Sequence, residues 1–238
     1  MQKELKIKTS DGYFIYGDLV KNKKASSKLV IFCHGFTGNR NEHIHFNGAK
    51  FFSAKGYDTF RFDFYNGGKN ARHFEETSLS QHGGDITTIL NYFHKQYKKI
   101  YVIGHSFGGT SLLFSNTSFA TALVFWDASY VVSQEERKFF MKYKSGKEYY
   151  IDWGMKIRIG KKFIGELFNF PDCGELVKKI HIPIKFIGTG NGKDAKKYFV
   201  KANTPKATVT MTSADHNFNS HEAEKKLFEE TYDWIKKY

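Results

Sequence analysis

Cysteine is nearly missing from these 238 residues: Cys33 and Cys173 are the only two, which excludes a disulfide scaffold. Proline is as scarce, with three in the chain, and no Pro-rich or low-complexity linker divides it. No apolar run approaches the roughly 18 residues that a membrane span needs. The opening Met1-Gln2-Lys3-Glu4-Leu5-Lys6 has no apolar core of a signal peptide. The expectation is therefore a soluble, cytoplasmic protein with no membrane span. Arginine is also sparse, limited to Arg40, Arg61, Arg72, Arg137 and Arg158, although the net charge is +13. Nucleic-acid readers favour arginine for bidentate contacts, and the lysines here form no block. The charge thus reads as a Lys-rich solvated surface, and no nucleic-acid partner is expected.

What is present is an ordinary globular balance, 40% hydrophobic and 26% charged, with aromatics high at 17%. The chain is long enough for one domain with a sizeable core. Strand and helix patterns alternate, which predicts an α/β fold. Glu4–Thr9 and Tyr13–Val20 flank Ser10-Asp11-Gly12 as a hairpin. Short apolar runs at Lys28–Cys33, Tyr57–Asp63, Ile100–Gly104, Ala122–Trp126, Ile184–Gly188 and Thr208–Thr212 read as strands. Helices are predicted over Asn47–Lys55, Asp85–Tyr97, Thr110–Phe114 and Glu222–Lys237, the last with an Asn219/Glu222 capping box. Residues 130–177 break the rhythm and read as a lid insertion on the single domain 1–238. They are rich in aromatics, including Phe139, Phe140, Tyr143, Trp153, Phe163, Phe168 and Phe170, which suggests an apolar acyl or aryl pocket.

Gly104-His105-Ser106-Phe107-Gly108 fits G-x-S-x-G, and its position between a strand and a helix is what a nucleophile elbow requires. A serine hydroxyl needs a base to take its proton. His216, after the last strand and before the last helix, lies at the sheet edge where Ser106 also falls. An oxyanion needs two backbone N–H donors. Phe107 follows the nucleophile, and Phe36 lies in the loop His34-Gly35-Phe36-Thr37-Gly38 after the strand Lys28–Cys33. His43 and His45 could suggest a metal pair, but no further ligand set has the right spacing, so a solvated loop is expected. His105 is expected to pack beneath the elbow.

His34–His43 (HGFTGNRNEH), Arg61-Phe62-Asp63-Phe64, Gly104–Gly109 (GHSFGG) and Asp215-His216-Asn217-Phe218 together resemble bacterial α/β-hydrolases of the cinnamoyl (feruloyl) esterase group. Monoacylglycerol-lipase-like serine hydrolases are close relatives of that group. The resemblance covers most of the chain and is most specific over residues 28–115. It implies a mostly parallel eight-stranded sheet flanked by helices, a Ser–Asp–His triad and hydrolysis of carboxylic esters through an acyl-enzyme. It also implies no metal or organic cofactor. Ser106 would be the nucleophile, His216 the base, and Phe36 and Phe107 the oxyanion donors.

Two departures stand out. The family places its acid three residues after the glycine ending the seventh strand, and here that position holds Asn191. Asp194, three residues further on, is the expected acid if the Gly190-Asn191-Gly192 turn presents it to His216. Asp127, directly after the strand Ala122–Trp126, is the alternative. The lid does not match the residues that grip a phenolic substrate in the family, so feruloyl specificity is not inferred. The expected activity is a serine carboxylesterase acting on small or medium acyl or aryl esters. Alternatives are a thioesterase or acyltransferase with the same triad, or a silent binding protein of the same fold. The natural ester and the oligomeric state are not readable from the residues.

Overall fold

A computed structural model of the chain describes residues 1–130, 140–142, 149–152, 156–170 and 172–238. An eight-stranded sheet forms its centre. In chain order its strands are β1 (Gln2–Lys8), β2 (Phe14–Val20), β3 (Lys28–Cys33), β4 (Asp58–Asp63), β5 (Lys99–His105), β6 (Ala122–Trp126), β10 (Ile184–Thr189) and β11 (Lys206–Met211). Their spatial order is β1-β2-β4-β3-β5-β6-β10-β11. The first hairpin is antiparallel, β2 joins β4 antiparallel, and every later pairing is parallel. The α/β fold expected from the strand–helix alternation, and the mostly parallel eight-stranded sheet that the resemblance implied, are what the chain forms.

Both faces of this sheet are covered, which explains why its strands read as continuous apolar runs. Side chains alternate along a strand, so each inner strand feeds two cores. In β3, Leu29, Ile31 and Cys33 join one core, while Val30 and Phe32 join the other. In β6, Leu123 and Phe125 point one way, and Val124 and Trp126 the other. The first core is closed by α2 (Leu79–Phe93) and α3 (Phe107–Leu113), through Ile86, Ile89, Leu90, Phe93, Leu112 and Leu113. The second is closed by α1 (His43–Ala54) and the C-terminal helix His221–Ile235, through Ile44, Phe52, Leu227, Phe228, Trp234 and Ile235.

Within residues 130–177 the described parts include a small antiparallel sheet, β7 (Phe140–Lys142), β8 (Tyr149–Asp152) and β9 (Lys156–Ile159). Helix α4 (Lys161–Phe168) follows, then α5 (Cys173–Val177). Phe163, Ile164 and Leu167 of α4 build a third apolar cluster with Leu79, Ile151 and Ile159. Cys173, expected in the lid, is instead fully buried in the first core with Val177. Phe139, Tyr143 and Trp153 lie outside the described residues, as does the side chain of Phe140.

Several helix boundaries differ from expectation. Helix α1 begins at His43 rather than Asn47, and α2 at Leu79 rather than Asp85. Helix α6 (Lys193–Lys201) has no counterpart in the sequence reading, and the last helix becomes α7. Its cap is Ser220, whose hydroxyl accepts from the Ala223 N–H, and not Asn219. Asn219 instead turns back to Asp215.

Candidate active site

Strand register brings the site together. His105 at the end of β5 lies level with Trp126 at the end of β6. The next residues, Ser106 and Asp127, therefore emerge side by side at the same sheet edge. The Ser106 N–H donates to the Trp126 carbonyl (3.0 Å), and the Asp127 N–H to the Ile187 carbonyl of β10 (2.7 Å). Trp126 is tied down in turn, its indole N–H donating to Thr231 Oγ1 of α7 at 2.8 Å.

Both residues sit in the left-handed region, Ser106 at φ 52° and Asp127 at φ 39°. Non-glycine residues adopt this backbone at a cost, and functional sites are where it concentrates. The glycines around Ser106 relieve the crowding of so sharp a turn. A Cβ on Gly104 would stand 2.6 Å from the Gly109 backbone, and one on Gly108 would fall on the Cys33 carbonyl. Gly35 passes close to the serine, where a Cβ would come 3.1 Å from Ser106 Cβ.

His216 completes the set from the turn after β11. Its Nε2 lies 3.0 Å from Ser106 Oγ and its Nδ1 2.7 Å from Asp127 Oδ2. Burial opposes ionisation of Asp127, but hydrogen bonds from His216 and from the Thr189 hydroxyl and N–H outweigh it and hold the carboxyl below its ordinary value. The Thr189 contacts are 2.6 Å to Oδ2 and 2.9 Å to Oδ1. An ionised Asp127 can only accept, so Nδ1 carries the imidazole proton and Nε2 is free to receive one from the serine.

The ring nitrogen for which Asp194 was the expected partner is thus met by Asp127. Asp194 belongs to the first turn of α6, and its side chain lies outside the described residues. Asn191, at the family's usual acid position, accepts from the Lys193 N–H at 3.0 Å and so supports the start of α6. Asp215 is turned away from the His216 ring, held by the Asn219 N–H and side-chain amide.

The loop after β3 is set by a buried histidine. The Phe64 N–H donates to His34 Nε2 (3.1 Å), so the proton must reside on Nδ1, which donates to the Gly35 carbonyl (2.8 Å). Burial keeps this ring neutral, pushing its pKa down to about 4. In a trans peptide the C=O and the following N–H point in opposite directions. Fixing the Gly35 carbonyl therefore fixes the direction of the Phe36 N–H. The Phe36 and Phe107 rings meet with centroids 5.2 Å apart, which places the two expected oxyanion donors on neighbouring segments.

Sequence reasoning missed one polar neighbour each of Ser106 and Asp127. Ser129 Oγ lies 3.3 Å from Ser106 Oγ, and Thr189 holds Asp127; neither carries a motif. His45 corrects an expectation. It lies inside α1 and is 1% exposed, so it is not part of a solvated loop, whereas His43 is exposed. His105 is buried beneath the elbow as expected, and its Nε2–H donates to the His216 carbonyl at 2.9 Å.

A strand–elbow–helix at the middle of a parallel sheet, with this strand order, defines an α/β-hydrolase fold. A family model for the alpha/beta hydrolase fold matches residues 28–114. Among solved structures, the chain is similar to an esterase domain from a Rhodothermus marinus protein, at 21% identity and TM-score 0.76, covering 100% of this chain and 99% of that one. It is also similar to Est1E from Butyrivibrio proteoclasticus with ferulic acid bound, at 20% identity and TM-score 0.80, covering 97% and 99%. A dienelactone hydrolase from Anabaena variabilis matches at 14% identity and TM-score 0.72, covering 100% and 98%. No curated protein sequence matches the chain.

Proposed function

We propose that the protein is a serine carboxylesterase that cleaves small or medium acyl or aryl esters through an acyl-enzyme on Ser106. The observation that carries this reading is the unbroken chain Asp127–His216–Ser106, with contacts of 2.7 and 3.0 Å. His216 takes the serine proton as Oγ attacks the ester carbonyl, then returns it to the leaving alcohol. Asp127 stabilises the imidazolium. The Phe36 and Phe107 N–H groups receive the negative oxygen of the tetrahedral intermediate, each donor contributing about 3–4 kcal/mol. Water then repeats the sequence on the acyl-enzyme.

Aromatic side chains support an aryl or apolar acyl group. Phe36 packs against Phe74, Phe107 and Phe163 at centroid distances of 5.2, 5.2 and 5.3 Å, beside both proposed donors. The ferulate-bound structural relative is consistent with such a substrate. Purified protein should turn over p-nitrophenyl acetate or butyrate, and a fluorophosphonate should label it at Ser106. Ser106→Ala should lose both; unchanged turnover in that variant would overturn the reading. Acyl thioesters in the same panel separate an esterase from a thioesterase.

A further inference from the structure

Beside the proposed catalytic histidine, whose ring lies 5.0 Å from that of His105, three side chains converge that the triad does not use. Glu42 precedes α1, His45 lies in its first turn, and His105 ends β5. One donor atom from each lies within 4.8 Å of the others. His45 and His105 are 1% and 4% exposed. Buried ring nitrogens normally find partners. Here Nε2 of His45 and Nδ1 of His105 are buried without a hydrogen bond, while Nδ1 of His45 faces Oε2 of Glu42 at 3.3 Å.

We propose that Glu42, His45 and His105 form a binding site for a borderline divalent transition-metal ion of the Zn²⁺ class. Two imidazoles and one carboxylate suit such an ion and are a poor set for Mg²⁺ or Ca²⁺, which take oxygen. The geometry fits. Two ligands each about 2.0 Å from a tetrahedral ion stand about 3.3 Å apart, and His45 Nδ1 lies 3.3 Å from Glu42 Oε2. His105 also has the outer contact that metal-bound histidines show, donating its other N–H to a backbone carbonyl. That carbonyl belongs to His216. An ion here would fix the His105 ring and, through it, the turn that carries the catalytic base. Glu42 provides the way in, since its side chain is 33% exposed while the other two are buried.

Metal-stripped full-length protein, titrated with Zn²⁺ in a calorimeter, should take up one equivalent with a dissociation constant in the micromolar range or tighter. Saturating Zn²⁺ should raise Tm. Co²⁺ should give the visible absorption of a tetrahedral site. His216→Ala should retain these signals, because that residue lies outside the site. His45→Gln and Glu42→Gln should each weaken binding at least tenfold. Should His45→Gln fail to fold, Glu42→Gln at its partly exposed position carries the test. The proposal is overturned by the lack of saturable uptake below 100 μM, by uptake that both substitutions leave unchanged, or by uptake that His216→Ala abolishes.

Discussion

The identity of the acid rests on which carboxylate meets His216 Nδ1, and Asp127 does so while also accepting twice from Thr189. An amide in its place can offer N–H to a ring nitrogen and favour the wrong tautomer, which in a comparable triad lowers kcat by about 10⁴-fold. Asp127→Asn is expected to show a loss of that order on a p-nitrophenyl ester, and Asp194→Asn to stay within a fewfold of wild type. The reverse ranking would return the acid to Asp194. His34 acts one step further from the chemistry. It touches no reacting atom, and its Nδ1–H holds the Gly35 carbonyl that sets the direction of the Phe36 N–H. A donor that strengthens only at the transition state affects kcat rather than KM. His34→Ala should therefore lower kcat by roughly 10- to 100-fold, less than the roughly 10²- to 10³-fold cost of removing a donor outright because the donor is misaimed rather than lost, with KM little changed. Equal effects on both parameters would point to a general collapse of the loop.

At the scale of elements, Arg72 clips the first hairpin to the helix layer. Its Nη1 donates to both oxygens of Asp85 in α2, at 2.8 and 2.7 Å, and its Nη2 donates to Asp11 in the hairpin turn. Arg72 and Asp85 are both buried. Removing one partner of a buried pair leaves a stranded charge, at a cost of about 3–5 kcal/mol. Arg72→Ala should lower the urea midpoint accordingly, and Asp85→Ala added to it should recover part of the loss. The sequence did not reveal this clip, since nothing local links positions 11, 72 and 85. The strands were legible because burial on two faces writes itself as unbroken apolar runs. Helix α6 was not, because KDAKKYFVK is mostly polar and sends only residues such as Ala195 and Tyr198 into the core. The start of α2 was not legible because Gly83-Gly84, poor helix formers, interrupt the apolar spacing before Asp85. Gly83 is there because a Cβ would stand 2.5 Å from the Phe114 carbonyl. Ser106 and His216 were readable from motif and position. The partner of His216 was left between Asp194 and the alternative Asp127, because the choice depends on the level register of β5 and β6 rather than on spacing along the chain.

Over the whole molecule, the +13 charge and the buried histidines act together on stability as pH falls. His34 is held neutral by burial, its pKa lowered from 6.5 to about 4, and His82, packed on Phe64 at 4.1 Å, is shifted well below 6.5 for the same reason. The unfolded chain takes up these protons near 6.5, while the folded chain refuses them until a lower pH. In that window the unfolded state binds more protons, so stability rises with pH and is lost on acidification. The contribution is complete above pH 6.5 and fades as pH drops toward 4. For His34 alone, at 1.36 kcal/mol per pH unit, it amounts to about 3 kcal/mol. Protonation elsewhere adds positive charge to a molecule that already repels itself, which works in the same direction. Asp127, held below its ordinary value, enters only at lower pH. Asp85, raised by burial to about 7, works against this trend as it takes up its proton, but the three depressed rings of His34, His82 and His105 outweigh one carboxyl. Unfolding free energies from urea titrations at pH 7, 5.5 and 4.5 should therefore fall at each step. His82→Gln should flatten that slope even where it lowers stability at pH 7. Constant stability between pH 7 and 4.5 would show that these rings reach their protons in the folded state.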